Sequence, residues 1–208
     1  MNSTPLLGSH NSMSYLKPRR WWMYPFRIFA QCQSKTFQQQ FVAGVRCFDL
    51  RISFTSDGMA IFSHGLIDFH IPADFSDQPH IPHPLRLPVH SVLRVLNTLA
   101  RGGETIFIRF ILDKKKRDSD FDNFHTLCRT ARIVYPDLTF IGGVYKKTWQ
   151  RIYDFHDPVT ETDIAQPIGS MAQDARWYER YIPYLYARRK RNVSSVSDNI
   201  KIVLRDFV

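Results

Sequence analysis

The chain has 208 residues, of which 44% are hydrophobic and 23% are charged. This length and composition are typical of one globular domain with a substantial core, and they exclude a disordered chain. Because no apolar run is long enough to span a membrane and the N-terminus lacks the features of a secretory signal, we expect a soluble protein, a single domain over residues 1–208.

The formal net charge of +9 favours an anionic partner. Nucleic acid, an anionic membrane surface and a phosphorylated small molecule all fit that charge, which does not choose among them. The three cysteines, Cys32, Cys47 and Cys128, are an odd number without CxxC spacing, which argues against a disulfide framework or a thiolate zinc site. We interpret them as small buried hydrophobic side chains.

Short apolar runs alternate with helical segments along the chain, the pattern of repeated strand–helix units. The predicted strands are Pro5–Gly8, Val45–Ile52, Ala60–His64, Thr105–Leu112, Leu138–Ile141, Ile168–Met171, Tyr184–Ala187 and Ile200–Phe207. The predicted helices are Lys35–Ala43, Val89–Leu99, Phe121–Val134 and Thr148–Phe155. Eight is the strand number of a closed parallel barrel, which typically takes about 250 residues. We therefore predict an α/β protein, a small TIM-like (β/α)₈ barrel with short or missing outer helices.

Several polar side chains lie at or just after the ends of the predicted strands. His10 follows the first strand, Arg51 is near the end of the second, His64 ends the third, and Asp206 is near the end of the last. In a barrel of this type the chemistry lies at the carboxyl ends of the strands. Two imidazoles that move protons and one guanidinium that holds a phosphate are sufficient to cleave a phosphodiester without a metal.

Five segments carry motifs in chain order: LGSHNS at 7–12, GVRCFDLR at 44–51, FSHG at 62–65, GETI at 103–106 and VLRDF at 203–207. Together they resemble the X-domain family of phosphatidylinositol-specific phospholipases C, in particular its compact, metal-independent bacterial branch. The resemblance implies a TIM-like barrel that uses no cofactor and no metal.

The resemblance also implies a task for each residue. His10 would be the general base that deprotonates the inositol 2-hydroxyl, and Asp206 would orient its imidazole. Arg51 would hold the phosphate. His64 would protonate the leaving diacylglycerol oxygen, with Asp49 tuning its pKa. The first product would be a cyclic inositol phosphate.

The sequence departs from this family at the substrate contacts. Asn11 stands where the bacterial branch has an aspartate, and Ile111 stands where a basic residue is expected late in the fourth strand. We expect Arg109 to replace that basic residue and Asn11 to contact the substrate. The candidates for gripping the headgroup are Arg188, Tyr186 and Lys146.

Trp21 and Trp22 follow a basic run at 17–20. Two interpretations remain open: the aromatic side chains pack on the barrel rim, or they enter a membrane interface while the cations meet anionic lipid. We expect a phospholipid or another phosphodiester as substrate, a monomer, and no nucleic-acid partner; the second interpretation adds peripheral contact with a membrane.

Three functional hypotheses remain. The first is a phosphodiesterase of the phosphatidylinositol-specific type. The second is the same chemistry on a glycerophosphodiester or sphingolipid headgroup, whose enzymes need a metal held by several carboxylates. The third is a catalytically degenerate barrel that binds phosphorylated lipid or a protein partner. Asn11 favours the third hypothesis, whereas the presence of both histidines with Arg51 and Asp206 opposes it.

Overall fold

A mixed sheet of eight strands forms the frame of the computed structural model, which describes residues 4–70, 88–143, 151–155, 159–166, 174–189 and 200–208. The strands are β1 Leu6–Ser9, β2 Cys47–Phe54, β3 Ala60–His64, β4 Ile67–Asp68, β5 Ile106–Leu112, β6 Leu138–Ile141, β7 Ile164–Ala165 and β8 Ile202–Arg205. The α-helices are α1 Phe37–Val42, α2 Pro88–Arg101, α3 Ser119–Val134 and α4 Pro183–Arg189, and 3-10 helices cover Trp21–Phe29 and Glu161–Asp163. No helix in these ranges is long and apolar enough to cross a membrane.

Six strands run parallel in the order β7-β8-β1-β2-β5-β6. A parallel bridge between Gly142 and Thr160 connects the end of β6 to the segment before β7. Helices α2 and α3 contact the sheet from outside. This arrangement leaves the carboxyl ends of the parallel strands, where β1, β2 and β8 adjoin, at one edge of the sheet.

The third strand departs from the predicted all-parallel pattern. β3 pairs antiparallel with β2, with Ile52 opposite Phe62, and β4 pairs antiparallel with β3. The prediction of a parallel third strand is wrong because the turn at 55–59 is too short for a parallel crossover, which takes a dozen or more residues. The antiparallel return brings His64 back beside the middle of β2.

Two other predicted elements differ from the structure. Tyr184–Ala187 belongs to helix α4 and not to a strand. Its aromatic residues favour a strand, but Pro183 occupies the first helical position, where a proline stabilises a helix. The described part of the predicted helix Thr148–Phe155 is not helical, because Arg151 bridges to Leu112 of β5.

Two strands of two residues, β4 and β7, have no periodicity that a sequence pattern can detect. The predicted strand Ile168–Met171 lies outside the described residues. The other helices agree with prediction to within a few residues.

Every residue of β2 is buried. Phe48, Leu50 and Ile52 pack into the larger hydrophobic core, whereas Cys47 belongs to a second cluster with Ile202 and Leu204 on the opposite face of the sheet. Because side chains alternate along a strand, Asp49 and Arg51 share the face of Cys47. The fold therefore buries the charged pair of Asp49 and Arg51 on this face of the sheet, next to β1 and β8.

We predict that Gly142→Ala destabilises the protein by about 2–3 kcal/mol, because an added Cβ strikes the backbone nitrogen of Phe155, which no side-chain rotation can relieve. Gly8→Ala is expected to cost less, since its nearest contact, 2.5 Å away, is the movable end of Leu204. Urea unfolding of the two variants measures both costs. Wild-type stability of Gly142→Ala would contradict the close approach of these two segments.

Candidate active site

The register of β1 and β8 brings His10 and Asp206 together. Ser9 pairs with Arg205, so the next residue of each strand lies at the same edge. Nδ1 of His10 is 2.7 Å from Oδ1 of Asp206. His10 is only 2% exposed, so its side chain is buried between these neighbours.

Arg51 contacts the other ring nitrogen of His10, with 2.7 Å between Nη2 and Nε2. A guanidinium is a donor only, so Nε2 must accept this hydrogen bond with its lone pair. The proton of the neutral imidazole therefore lies on Nδ1 and is donated to Asp206. This is the tautomer that a general base acting through Nε2 requires, with its lone pair already engaged by Arg51.

Asp49 holds two arginines in the interior of the sheet. Its Oδ2 accepts from Arg51 Nε at 3.1 Å, and its Oδ1 accepts from Arg109 Nη1 at 2.6 Å. The backbone nitrogen of Asn11 also donates to Oδ2, at 2.9 Å. Burial opposes ionisation of Asp49, but Arg109 and Arg51 outweigh it, so the pKa of Asp49 lies well below its usual range. These hydrogen bonds of Asp49 do not include His64, so the tuning of the His64 pKa by Asp49 stays a prediction.

His64 lies at the end of β3, with its ring centroid 5.8 Å from that of His10. Nδ1 of His64 donates to the carbonyl oxygen of Ala30 at 2.8 Å, because that oxygen accepts only. Burial, and then the positive charge of Arg51, lower the pKa of His64 to about 4, against the opposing effect of Asp113. The ligand-free protein therefore holds His64 neutral at pH 7.

Four further residues belong to this site and are not among the residues predicted from the sequence: Cys32, Gln33, Asp113 and Glu161. Asp113 directly follows β5, so the rule that found His10 also indicates it. Gln33 donates from Nε2 to the carbonyl oxygens of His10 and Arg205, and Glu161 accepts from Arg109. No sequence pattern singles out Cys32, Gln33 or Glu161, which come from segments without periodicity.

Asn11 has an unusual backbone and an unpartnered side chain. Its φ of 43° lies in the left-handed region, which asparagine tolerates better than most residues. Its side-chain oxygen and nitrogen are buried and have no hydrogen-bond partner among the described residues. Because a buried amide without partners is costly, this one is available to a ligand.

Arg109 and the three headgroup candidates differ in position. Arg109 is fully buried and its guanidinium pairs with Asp49 and Glu161, so its contact with the substrate stays a prediction. Tyr186 is buried and its hydroxyl donates to Asp174. Arg188 lies on helix α4 instead of at a strand end. Lys146 is outside the described residues.

Arg188 lines a surface cavity of about 770 Å³. Lys35, Tyr184 and Phe207 line it as well, and Phe207 adjoins Asp206 in the chain. The rings of Tyr184 and Phe207 meet edge to face, with 4.9 Å between their centroids. This cavity combines two cations with aromatic surface beside the site.

The 3-10 helix Trp21–Phe29 presents aromatic side chains to solvent. Trp21 is 82% exposed, so the interpretation that it packs on the rim is wrong, and Trp22 is also exposed. A cavity of about 740 Å³ beside Trp22 is lined by five basic side chains and two carboxylates, those of Arg19, Arg20, Lys114, Lys116, Arg117, Asp57 and Asp68. Asp68 pairs with Lys114 and Lys116, which leaves the lining with an excess of positive charge. Exposed aromatic and cationic groups thus adjoin on one surface.

We expect an NMR titration to give a midpoint near pH 4 for the His64 ring in the ligand-free protein, identified by its absence from His64→Gln. The unfolded imidazole takes up its proton near pH 6.5. Between these values the unfolded state binds more protons, so this group destabilises the fold progressively as the pH falls from about 6.5 to 4. A midpoint near 6.5 would contradict the burial of His64.

Comparison with known proteins gives one informative kind of match. No family model matches the chain, and no curated protein matches it. Among solved structures, the phosphatidylinositol-specific phospholipase C from Listeria monocytogenes matches with a TM-score of 0.52 and 16% identity, over 99% of this chain and 89% of that one. Phosphatidylinositol-specific phospholipase C from Staphylococcus aureus gives a TM-score of 0.42 and 21% identity, over 63% of this chain and 37% of the other. The match to the Listeria enzyme shows that the chain has a TIM-like α/β barrel fold, which confirms the predicted fold.

Proposed function

We propose that the protein is a phosphodiesterase of the phosphatidylinositol-specific phospholipase C type, with His10 as general base and His64 as general acid. The observation that carries the proposal is the placement of His10 between Asp206 and Arg51, with the His64 ring 5.8 Å away. These groups supply a base with a fixed tautomer, a fixed positive charge and a second imidazole.

His10 can act as a base once Arg51 no longer donates a hydrogen bond to the lone pair of His10 Nε2. A phosphate oxygen binds a guanidinium more strongly than a neutral imidazole does, because the hydrogen bond is charge-assisted at both ends. Substrate binding draws Arg51 away from Nε2, which then takes the proton of the hydroxyl next to the phosphate. The hydroxyl oxygen forms a bond to phosphorus, and Asp206 stabilises the imidazolium through Nδ1–H.

Arg51 stabilises the charge that develops on the phosphate. Its guanidinium is held by Asp49 on one side and lies 3.9 Å from Asp113 on another. A planar donor group fixed in this way binds two phosphate oxygens at once. Because the attacking hydroxyl belongs to the substrate, ring closure also gains about 7–11 kcal/mol from proximity.

His64 donates a proton to the leaving oxygen as the phosphorus–oxygen bond breaks. Its pKa of about 4 is too low for this without a further charge nearby. The negative charge of a bound phosphodiester offsets the charge of Arg51 and raises the pKa of His64, so the acid forms when substrate binds. The Ala30 carbonyl oxygen holds Nδ1–H and leaves Nε2 for the substrate.

The headgroup site is assigned to Asn11 and to the cavity that Arg188, Lys35, Tyr184 and Phe207 line. The unpartnered amide of Asn11 supplies both a donor and an acceptor to a hydroxyl-bearing ring. We keep Lys146 as a predicted contact. Tyr186 belongs to helix α4, and its hydroxyl donates a hydrogen bond to Asp174. We assign it to stabilising the helix and not to contact with the substrate.

A membrane surface is the proposed partner of the exposed aromatic and cationic groups around Trp21 and Trp22. Trp side chains favour the lipid headgroup region, and each basic residue adds attraction to anionic lipid. Peripheral contact of this kind would bring a phospholipid substrate to the site.

Two observations favour a second candidate, a barrel that binds phosphorylated lipid without cleaving it. Asn11 replaces a carboxylate, and Arg51 occupies the His10 lone pair in the empty site. A metal-dependent phosphodiesterase for another headgroup is less well supported. A catalytic cation would need carboxylates such as Asp49 and Asp113 as ligands, and the guanidinium of Arg51 already lies between these two.

We predict that turnover of a short-chain phosphatidylinositol persists in EDTA, because Arg51 supplies the positive charge that a metal would provide. The assay compares EDTA alone with EDTA followed by excess calcium or magnesium. Equal rates are expected. No turnover under any of these conditions would support the binding protein, and activity that appears only with added metal would refute the proposed mechanism.

A further inference from the structure

Cys32 lies in the candidate active site but takes no part in the proposed reaction. Its thiol is buried, and Sγ is 3.7 Å from Nδ1 of His64. One ligand atom each from His10, Cys32 and His64 lies within 4.8 Å of the other two. Three side chains that bind transition metals through nitrogen or sulfur therefore share one point of the pocket.

We propose that His10, Cys32 and His64 form a binding site for a thiophilic divalent cation, for which Zn²⁺ is the probe, and that the bound cation blocks the pocket. Two imidazoles and one thiolate are three protein ligands of the kind that hold zinc with its fourth position open. The sulfur and nitrogen set favours such a cation over calcium or magnesium, which prefer oxygen.

The distances fit this geometry after small movements. Bonds of about 2.3 Å to sulfur and 2.0–2.1 Å to nitrogen put tetrahedral ligand atoms about 3.4–3.6 Å apart. The separation of 3.7 Å between Cys32 Sγ and His64 Nδ1 is already close to this value. Binding through this nitrogen requires His64 to give up its hydrogen bond to the Ala30 carbonyl oxygen and to carry its proton on Nε2 instead. The backbone of Cys32 is held by hydrogen bonds with Ser14 and Phe207. We infer that the remaining distances close by rotation of the three side chains, with His10 giving up its contact with Arg51.

The surrounding charges favour a cation despite Arg51. Ion pairs in the described part of the chain join two guanidinium groups and His10 to four carboxylates, a formal charge of −2 while the imidazoles are neutral. The carboxylates are those of Asp49, Asp113, Asp206 and Glu161. On binding, Cys32 gives its proton to solvent as the metal–sulfur bond forms, and each imidazole gives the lone pair of one ring nitrogen.

The consequence for activity rests on the proposed function. A metal bound to Nε2 of His10 uses the lone pair that would accept the hydroxyl proton, so occupancy inhibits the enzyme. The spacing of cysteines along the chain gave no sign of this site, because its ligands come from the end of β1, the end of β3 and the segment before α1.

The binding test uses chelator-treated wild type, Cys32→Ala and the matched control Cys128→Ala, in which an equally buried cysteine outside the site is removed. We expect one Zn²⁺ per chain by competition with a chromophoric chelator, and a sulfur-to-metal charge-transfer absorption with Co²⁺. Both should persist in Cys128→Ala and be lost in Cys32→Ala. Absence of the absorption from wild type, or its persistence in Cys32→Ala, would overturn the proposal.

Turnover with and without Zn²⁺ distinguishes this proposal from the proposed function. Zn²⁺ should inhibit wild type and Cys128→Ala, with recovery in EDTA, whereas Cys32→Ala should resist inhibition relative to its own rate in EDTA. A protein that binds Co²⁺ through sulfur but cleaves no phosphodiester refutes the proposed function and supports the metal site. An active enzyme without the metal–sulfur absorption refutes the metal site alone.

Discussion

His10→Ala and His64→Ala are each expected to lower the turnover of phosphatidylinositol by about 10²- to 10⁴-fold, the usual contribution of a general base or acid. His10→Ala removes the group that takes the hydroxyl proton, and His64→Ala removes the proton donor for the leaving oxygen. Because His10 is buried between Asp206 and Arg51, His10→Gln serves as a second variant that fills the space better. Circular dichroism checks that each variant is folded.

A nitrophenyl phosphodiester separates the two tasks. Its leaving group departs without a proton, so His64→Ala should recover most of the wild-type rate on this substrate while His10→Ala and His10→Gln remain slow. Equal recovery of both alanine variants would contradict the assignment of His10 as the base and His64 as the acid. Full activity of either one on phosphatidylinositol would refute the mechanism.

Arg109→Met is expected to destabilise the fold by about 3–5 kcal/mol, the usual cost of removing one partner from a buried ion pair. Arg109 and Asp49 are both fully buried, and Arg109 also pairs with Glu161. The variant leaves Asp49 with Arg51 alone and Glu161 without its guanidinium partner. The measurement is the free energy of unfolding in urea. The dependence of that free energy on urea concentration should be the same as in the wild type, so that the two values can be compared.

The matched control is Arg101→Met, which removes an arginine from an exposed pair with Asp137. Solvent screens that pair, so the midpoint of unfolding should hardly move. Equal stability of Arg109→Met and Arg101→Met would show that the buried charges are not energetically coupled as their distances indicate. It would also contradict the proposal that Asp49 holds Arg51 in place.

The parallel strands are the part of the fold that the sequence predicts best. β2 and β5 are long, almost wholly buried segments rich in apolar residues, a composition typical of strands covered on both faces, and both lie where the pattern indicates. The contact of His10 with Asp206 follows from the same reasoning, because each residue comes directly after a strand and the two strands are neighbours.

The direction of β3 was not predictable from its apolar run, since strand propensity is the same in both directions. Only the short turn at 55–59 indicates an antiparallel return. His64 therefore lies beside His10 for a reason different from the one the sequence suggested.

The buried support of the site was not predictable from local pattern. Glu161 reaches Arg109 through a tertiary contact after a segment without periodicity, and Cys32 reaches His64 in the same way. Helix α4 could not be predicted from local pattern either. Its aromatic residues favour a strand, and the proline at its start and tertiary packing make it a helix instead.

Phosphorus NMR of phosphatidylinositol incubated with the protein in detergent and EDTA tests the central claim most directly. The account predicts that the phosphodiester resonance of the lipid is replaced by that of a five-membered cyclic phosphodiester, with no metal added, and that His10→Ala leaves the lipid resonance unchanged over the same period. A lipid resonance that stays unchanged with the wild-type protein, or a first product that is a phosphomonoester, would contradict it.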